Sequence, residues 1–183
     1  MQPALDIKRL VFIDETSVTT KMARQYGRAP QGRRLVDSVP YGHWKTTTFT
    51  AALRHDRVTA PYVLDGAMDG LNFTGYVEQI LAPTLKKGDI VFMDRVRLHM
   101  VQGVEEAVEA RGARVYYLPP YSPDLNPIEQ LFSKLKSLLR KASARTIKHL
   151  WKAISRILEQ VSKRECAAYL ANSGYGQPKR RTL

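Results

Sequence analysis

Two short apolar runs along the chain have nearly the same form: Leu10-Val-Phe-Ile13 stops at Asp14-Glu15, and Asp89-Ile-Val-Phe-Met93 stops at Asp94. Runs of this length and composition read as buried strands. From Ser17 to Gly42 the pattern turns polar, and Gly27, Pro30, Gly32 and Pro40 break it into a loop or ragged hairpin. Lys45 to Leu53 is threonine-rich and β-prone, and His55-Asp56-Arg57 turns it into a third strand, Ala60 to Leu64. Apolar residues at Phe73, Tyr76, Val77, Ile80 and Leu81 have helical spacing, which predicts a helix over Asn72 to Leu85 with Asn72 as its cap. A helix over Val101 to Arg111 ends at Gly112, and Arg114 to Leu118 is the next strand, closed by Pro119-Pro120. After the loop Tyr121 to Asn126, a helix opens at Pro127 behind Asn126 as cap and runs towards Arg140. Further helices follow over about Thr146 to Val161 and Lys163 to Ala171. The order β-β-β-α-β-α-β-α-α, with the short last helix after it, is that of an α/β layered domain with a mixed sheet.

Composition narrows the class. A chain of 183 residues with 44% apolar residues is one domain with a real core. No run is long and apolar enough to span a membrane, and MQPALDIKRL is too polar for a secretory signal. The single cysteine, Cys166, excludes an internal disulfide framework, and the scattered histidines do not have zinc-site spacing. These features imply a soluble cytosolic protein. Charge adds a partner: the net charge is +12, but it is unevenly placed. Residues 1–64 hold ten basic and five acidic side chains, residues 65–133 six and ten, and residues 134–183 thirteen and two. A strongly basic surface attracts polyanions through counterion release, so nucleic acid is the natural partner. An acidic middle inside such a chain fits a cation site.

The aspartates at strand ends suggest where that site is. Carboxylates there stand at the sheet rim, where ligands of α/β folds collect. If the two strands are neighbours, Asp14 and Asp94 repel unless one is protonated or a cation sits between them. Magnesium takes such oxygen ligands together with substrate phosphate oxygens. Taken alone, each aspartate is equally readable as a turn residue. The third element is Pro119-Pro-Tyr-Ser-Pro-Asp-Leu-Asn-Pro-Ile-Glu129, in which prolines stiffen the approach to a helix with Glu129 in its first turn. A glutamate there also suits the helix dipole with no further role.

The string PPYSPDLNPIEQLFSKLK resembles the signature of the mariner superfamily of transposases, in its bacterial insertion-sequence branch. Phe12-Ile-Asp14-Glu15 resembles the family's first catalytic motif, and Asp94-Arg-Val-Arg-Leu-His99-Met its second. The 34 residues between Asp94 and Glu129 match the family spacing, and Gly27 to Arg33 resembles its Gly/Arg-rich segment. The resemblance implies a ribonuclease-H-like DDE catalytic (endonuclease) domain over residues 1–172, followed by a basic flexible tail over 173–183. It implies that Asp14, Asp94 and Glu129 bind two Mg²⁺ or Mn²⁺ ions per active site, with Asp14 bridging them. The implied activity is hydrolysis of phosphodiesters at transposon ends, then attack by the freed 3′-hydroxyl on target DNA, commonly at a TA step. Implied partners are double-stranded DNA and a second copy of the chain. The helix-turn-helix region that precedes this domain in the family is absent here, which suggests a separate N-terminal DNA-binding product of the same element. The implied location is the bacterial cytoplasm, at the nucleoid.

Other residues take roles within this frame. Arg28, Arg33, Arg34, Lys45, Lys134, Lys136 and Arg140 are candidates for DNA contact, with solvated surface charge as the alternative. Glu15, His99 and Asn126 are candidates for supporting the triad, His99 as a structural residue rather than a base. Trp44 and Trp151 read as core or packing residues rather than base-stacking platforms, and Cys166 as an inert buried thiol. The sequence departs from the family at Arg95, where asparagine is usual, and at Met100, where lysine is usual. Arg95 beside a metal ligand leaves a second function open: a catalytically silent DNA-binding or assembly module.

Overall fold

The computed structural model describes residues 5–176. Its centre is one five-stranded sheet in the order β3-β2-β1-β4-β5. β1 (Leu10–Thr19), β2 (Thr46–Leu53) and β3 (Val58–Asp65) form an antiparallel meander, whereas β4 (Ile90–Met93) and β5 (Arg114–Tyr117) run parallel to β1. The expected mixed-sheet α/β layering is therefore present.

Helices cover both faces. Because strand side chains alternate, Leu10, Phe12 and Val18 face α3 (Ile128–Ala142), α4 (Ile147–Glu159) and α5 (Lys163–Asn172), in a core with Phe49, Phe92, Leu131 and Phe132. Val11 and Ile13 face the opposite way, onto α1 (Gly70–Tyr76) and α2 (Val104–Glu109), with Val91, Met93, Phe73 and Tyr76. This alternation assigns Asp14 to the α3 face and Glu15 to the α1 face.

Several boundaries differ from the sequence reading. β1 does not stop at Asp14; it continues to Thr19, because β2 pairs with it as far as the Thr19–Thr46 register. Only β4 stops, its register with β1 ending at Phe12–Phe92. Asp14 is thus a mid-strand residue on one side and a rim residue on the other. α1 begins at Gly70, because Asp69 and not Asn72 is the cap: its Oδ1 accepts the Asn72 N–H at 2.8 Å. The helix continues as a π-turn over Val77–Leu81 and a 3-10 turn over Ala82–Thr84. α2 starts only after Gly103, whose φ of +97° breaks the predicted first turn, and Gly112 ends it as expected with φ +69°. α3 is preceded by Pro127, and the Asn126 side chain does not cap it.

The chain keeps packing past residue 172. Tyr175 packs its tilted ring against Phe12 and Phe92 at centroid distances of 4.7 and 5.8 Å, and its hydroxyl donates to Leu125 O at 2.9 Å. The predicted flexible tail therefore does not begin at residue 173; its remainder, residues 177–183, lies outside the described residues.

At the sheet end far from Asp14, a buried ion pair joins β2 to the start of β4. Arg54 Nη2 donates to Asp89 Oδ2 at 2.7 Å and to Thr84 O at 3.2 Å, and the Lys86 N–H donates to the same carboxylate oxygen at 2.9 Å. Removing one partner of a buried pair strands the other charge, at about 3–5 kcal/mol. Arg54→Leu is expected to lower the urea midpoint accordingly, and Arg54→Leu with Asp89→Leu to recover much of the loss.

Candidate active site

Asp14 is the most enclosed of the candidate carboxylates, 9% exposed in the middle of β1. Its Oδ1 accepts the Glu15 N–H at 2.7 Å, and its Oδ2 accepts Asn126 Nδ2 at 2.9 Å. Burial pushes its pKa up to about 7; the Glu15 N–H opposes this, and the negative charges of Glu15, Asp94 and Glu129 add to it.

Asp94 is the first residue after β4 and faces the same cleft. His99 lies behind it. Its Nδ1 donates to Asp94 O at 2.9 Å and stands 2.5 Å from Asp94 Oδ1, the carbonyl being the aligned acceptor. Its Nε2 donates to Glu15 Oε2 at 2.9 Å. Both ring nitrogens thus face acceptors, which requires the imidazolium. Burial works against that charge, but the hydrogen bonds to Asp94 and Glu15 outweigh it and hold the pKa at about 10. The fully buried ring also packs on Phe73 at 4.6 Å. A group held protonated in this way is not a base near neutrality.

Glu129 occupies the first turn of α3 and is exposed. The 3-10 turn Pro123–Leu125 and Pro127 carry the chain into that helix, and buried Asn126 accepts the Glu129 N–H at its carbonyl at 3.2 Å. The Asn126 amide reaches across to Asp14 instead of capping the helix, because burial leaves Asp14 short of donors. One residue therefore sets both ends of the carboxylate arrangement. Tyr175 holds the preceding Leu125 carbonyl from below.

Asp14, Asp94 and Glu129 all line one cleft of about 400 Å³, with Arg95, Tyr121 and Asn126. They do not converge further: among the described residues, no three His, Cys, Asp or Glu side chains stand close enough together to hold a metal ion. Mutual repulsion accounts for this, with Asp94 drawn towards His99 and Glu129 left in solvent. The residues nevertheless fit a hard divalent cation. The facing donors are all oxygens, Asp14 has an unsatisfied negative charge, and the buried Asp94 Oδ1 and Asn126 Oδ1 have no aligned hydrogen-bond partner.

The remaining candidates lie elsewhere. Arg28, Arg33, Arg34 and Lys45 are exposed on the segment between β1 and β2, whose base is tied by Arg145 Nη1 to Thr20 O and Met22 O at 3.2 and 2.8 Å. Lys136 and Arg140 are half-buried on α3. Lys134 is already paired with Glu165, so it is a weaker candidate for DNA contact. Arg95 lines the cleft and is exposed, yet makes no ion pair with Asp94 among the described residues. Trp44 is not a core residue: it is 53% exposed, with Lys21 Nζ 4.3 Å from its ring centroid. Trp151 is marginal, its Nε1 donating to Thr47 Oγ1 at 3.3 Å. Cys166 is buried as read, and burial raises its thiol to about 11.

The raised pKa of Asp14 has a sign that can be tested. An acid whose folded pKa lies above its unfolded value of 3.8 binds more protons folded, so its contribution is present at low pH and lost as pH rises through about 7. Asp14→Asn is expected to stabilise the metal-free protein at pH 8 by a few kcal/mol, at about 1.4 kcal/mol per pKa unit, and so to raise its thermal midpoint. Millimolar Mg²⁺ is expected to raise the wild-type midpoint at pH 8 and leave that of Asp14→Asn nearly unchanged. Scanning calorimetry from pH 4 to 8 checks both.

Comparison with known proteins agrees with this geometry. The DDE superfamily endonuclease family matches residues 9–151. The Mos1 mariner transposase paired-end complex with Mn superposes with a TM-score of 0.75 at 15% identity, covering 92% of this chain and 53% of that one. The Mos1 strand transfer complex gives 0.73 at 16% identity, over 91% and 52%. The isolated catalytic domain of Mos1 gives 0.69 at 14% identity, over 91% of this chain and 78% of that one. The chain thus spans about half the length of the Mos1 transposase in its DNA complexes, and shares the ribonuclease-H-like fold of its catalytic domain. No curated protein sequence matches it significantly. The family match covers both β1 with Asp14 and the α3 turn with Glu129, and on that ground the chain belongs to the DDE superfamily endonucleases.

Proposed function

We propose that this chain is the catalytic domain of a transposase of the mariner superfamily, in its bacterial insertion-sequence branch, cutting phosphodiesters at transposon ends and joining the freed 3′-hydroxyl to target DNA. The observation that carries this reading is the single cleft lined by Asp14, Asp94 and Glu129, in which Asp14 and Glu129 have no cationic side chain as partner among the described residues. These three would hold the divalent ions, Mg²⁺ or Mn²⁺ and two per site, and a relative of the same fold is described with Mn. When bound, such ions activate the attacking oxygen and stabilise the leaving one.

The other residues orient and attract. Asn126 holds Asp14 in one rotamer, and His99 fixes the stretch that carries Asp94 while neutralising Glu15 behind it. Arg28, Arg33, Arg34 and Lys45 on the β1–β2 segment, with Lys136 and Arg140 on α3, supply phosphate contacts that carry no sequence information. Sequence-specific end recognition then falls to a separate DNA-binding segment or product, and paired ends call for a dimer. The site of action is the nucleoid.

Arg95 supports the competing reading, a silent assembly module, only if it occupies the metal ligands. It makes no ion pair with Asp94, which favours an active site. In Mn²⁺ the wild-type chain is expected to nick supercoiled plasmid, and Asp14→Ala or Glu129→Ala to lower the rate at least a hundredfold, to the level of a protein-free control. No nicking by the wild type, together with nicking by Arg95→Asn, would establish the silent reading. Nicking that persists in both alanine variants would sink the triad.

A further inference from the structure

The chain past the last helix touches each of the three elements that lead to a carboxylate of the cleft. α5 ends in a reversal at Gly174, whose φ of +88° lies in the left-handed region that glycine adopts without strain. The Tyr175 N–H then donates back to Leu170 O at 2.9 Å, which closes the turn. The Tyr175 ring packs on Phe12 and Phe92, which are partners in register and stack on each other at 4.8 Å. That pair is the last rung of the β1–β4 ladder, and Asp14 and Asp94 each stand two residues further on. The Tyr175 hydroxyl reaches the third element, donating at 2.9 Å to Leu125 O, one residue before Asn126.

The same segment grips the chain on the other side of Glu129. Gln130 Nε2 donates to Tyr169 O at 3.1 Å and to Ser173 Oγ at 3.2 Å, and Asn172 Nδ2 donates to Gln130 Oε1 at 3.1 Å. Residues 125–130 are therefore tied at both ends to residues 169–175. Between the ties lie Asn126, which holds Asp14, and Glu129. An aromatic ring at the edge of a core fills space, and phenylalanine would fill it equally well. The hydroxyl is the part that needs an account. Glu129 is exposed and shares the cleft with two other acids, so like charge pushes it outward. What keeps it at the cleft is the backbone that carries it, and that backbone is what the hydroxyl holds.

We infer that Tyr175 is a positioning residue for the carboxylate site, its hydroxyl holding residues 125–130 against the repulsion among the three acids so that a divalent ion finds its ligands in place. The inference rests on the carboxylate cleft being a metal site. Ligands held in position lose little freedom when an ion binds, and that saving appears as affinity. Removing the hydroxyl forfeits the net worth of one hydrogen bond, about three- to tenfold in ion affinity.

The test uses the full chain and Mn²⁺ without DNA, with free Mn²⁺ read from its electron spin resonance signal. Tyr175→Phe keeps the ring and deletes only the hydroxyl. Tyr76→Phe is the matched control, since its hydroxyl donates to a backbone carbonyl, Ala60 O at 3.0 Å, on the opposite face of the sheet. Tyr175→Phe is expected to bind Mn²⁺ about three- to tenfold more weakly than wild type. Tyr76→Phe should lower the urea midpoint at least as much and leave Mn²⁺ affinity unchanged. In plasmid nicking, Tyr175→Phe should need more Mn²⁺ for half-maximal rate, by the same factor, and approach the wild-type rate at saturation. A loss of stability alone would not be rescued by metal in this way. The proposal is overturned if Tyr175→Phe binds Mn²⁺ as wild type does, or if Tyr76→Phe weakens binding equally. Weaker Mn²⁺ binding by Tyr175→Phe, with no nicking by any variant or by wild type, overturns the cutting reading and leaves the positioning result standing. Nicking by wild type and Tyr175→Phe with the same Mn²⁺ requirement overturns only this inference.

Discussion

A carboxylate in the middle of a buried strand is an expensive group, and most of the architecture around the cleft follows from Asp14. Two hydrogen bonds to it, from the Glu15 N–H and the Asn126 amide, stabilise the anion by a few kcal/mol at most. Desolvating an ion in a protein interior costs several kcal/mol, and neighbouring negative charges add to that. The balance raises the Asp14 pKa to about 7 and leaves its anion poorly compensated. Because β4 stops at Met93 while β2 runs on, the carboxylate has sheet on one side and an opening on the other. That opening is where a divalent ion and a phosphate can both reach it.

Strand alternation divides the work of two adjacent acids. Asp14 faces α3 and the cleft, and Glu15 points to the other side of the sheet, beneath α1. Two neighbouring carboxylates on one face would have compounded the repulsion. On the far face Glu15 has its own counter-ion in His99, buried against Phe73. The same imidazolium holds Asp94 through its carbonyl. The strand that carries Asp14 and the stretch that carries Asp94 are therefore linked through Glu15 and His99, on the face of the sheet away from the cleft. Asn126 provides the link to the third carboxylate, since its side chain holds Asp14 and its carbonyl the N–H of Glu129.

Much of this was legible in the chain, and the misses have definite causes. β4, β5 and the two long C-terminal helices follow from apolar periodicity, because their neighbours bury one consistent face. β1 reads as ending at Asp14, since apolar content ends there; its continuation depends on backbone pairing with the threonines of β2, which hydrophobicity does not register. Asn126 before Pro127 reads as a helix cap because local rules favour it, and a tertiary demand from a residue 112 positions away overrides them. Asp69 escaped notice as a cap because the apolar spacing of α1 begins only at Phe73. Trp44 reads as core by residue type, although its polar and glycine neighbours leave it on an open segment. The three acids that line the cleft, Asp14, Asp94 and Glu129, are each marked in the sequence by a motif. The Glu15–His99 contact was not, because nothing local marks two polar residues 84 positions apart as partners.

The electrostatics of the whole chain bear on the same cleft. The net charge of +12 is carried by the β1–β2 segment and the C-terminal helices, while the cleft itself is lined by Asp14, Asp94 and Glu129. A positive surround of this kind attracts polyanions from a distance, but salt screens it within about 8–10 Å, so at contact range a phosphate would meet three acids. Among the residues lining the cleft, Arg95 is the one cation, standing next to Asp94 at the mouth without pairing to it. A guanidinium that is neither buried nor claimed by a carboxylate keeps its donors for an incoming phosphate. In this geometry Arg95 places a positive charge at the mouth and occupies none of the three carboxylates. What remains is an excess of negative charge from Asp14, Asp94 and Glu129 that one guanidinium at the mouth does not offset.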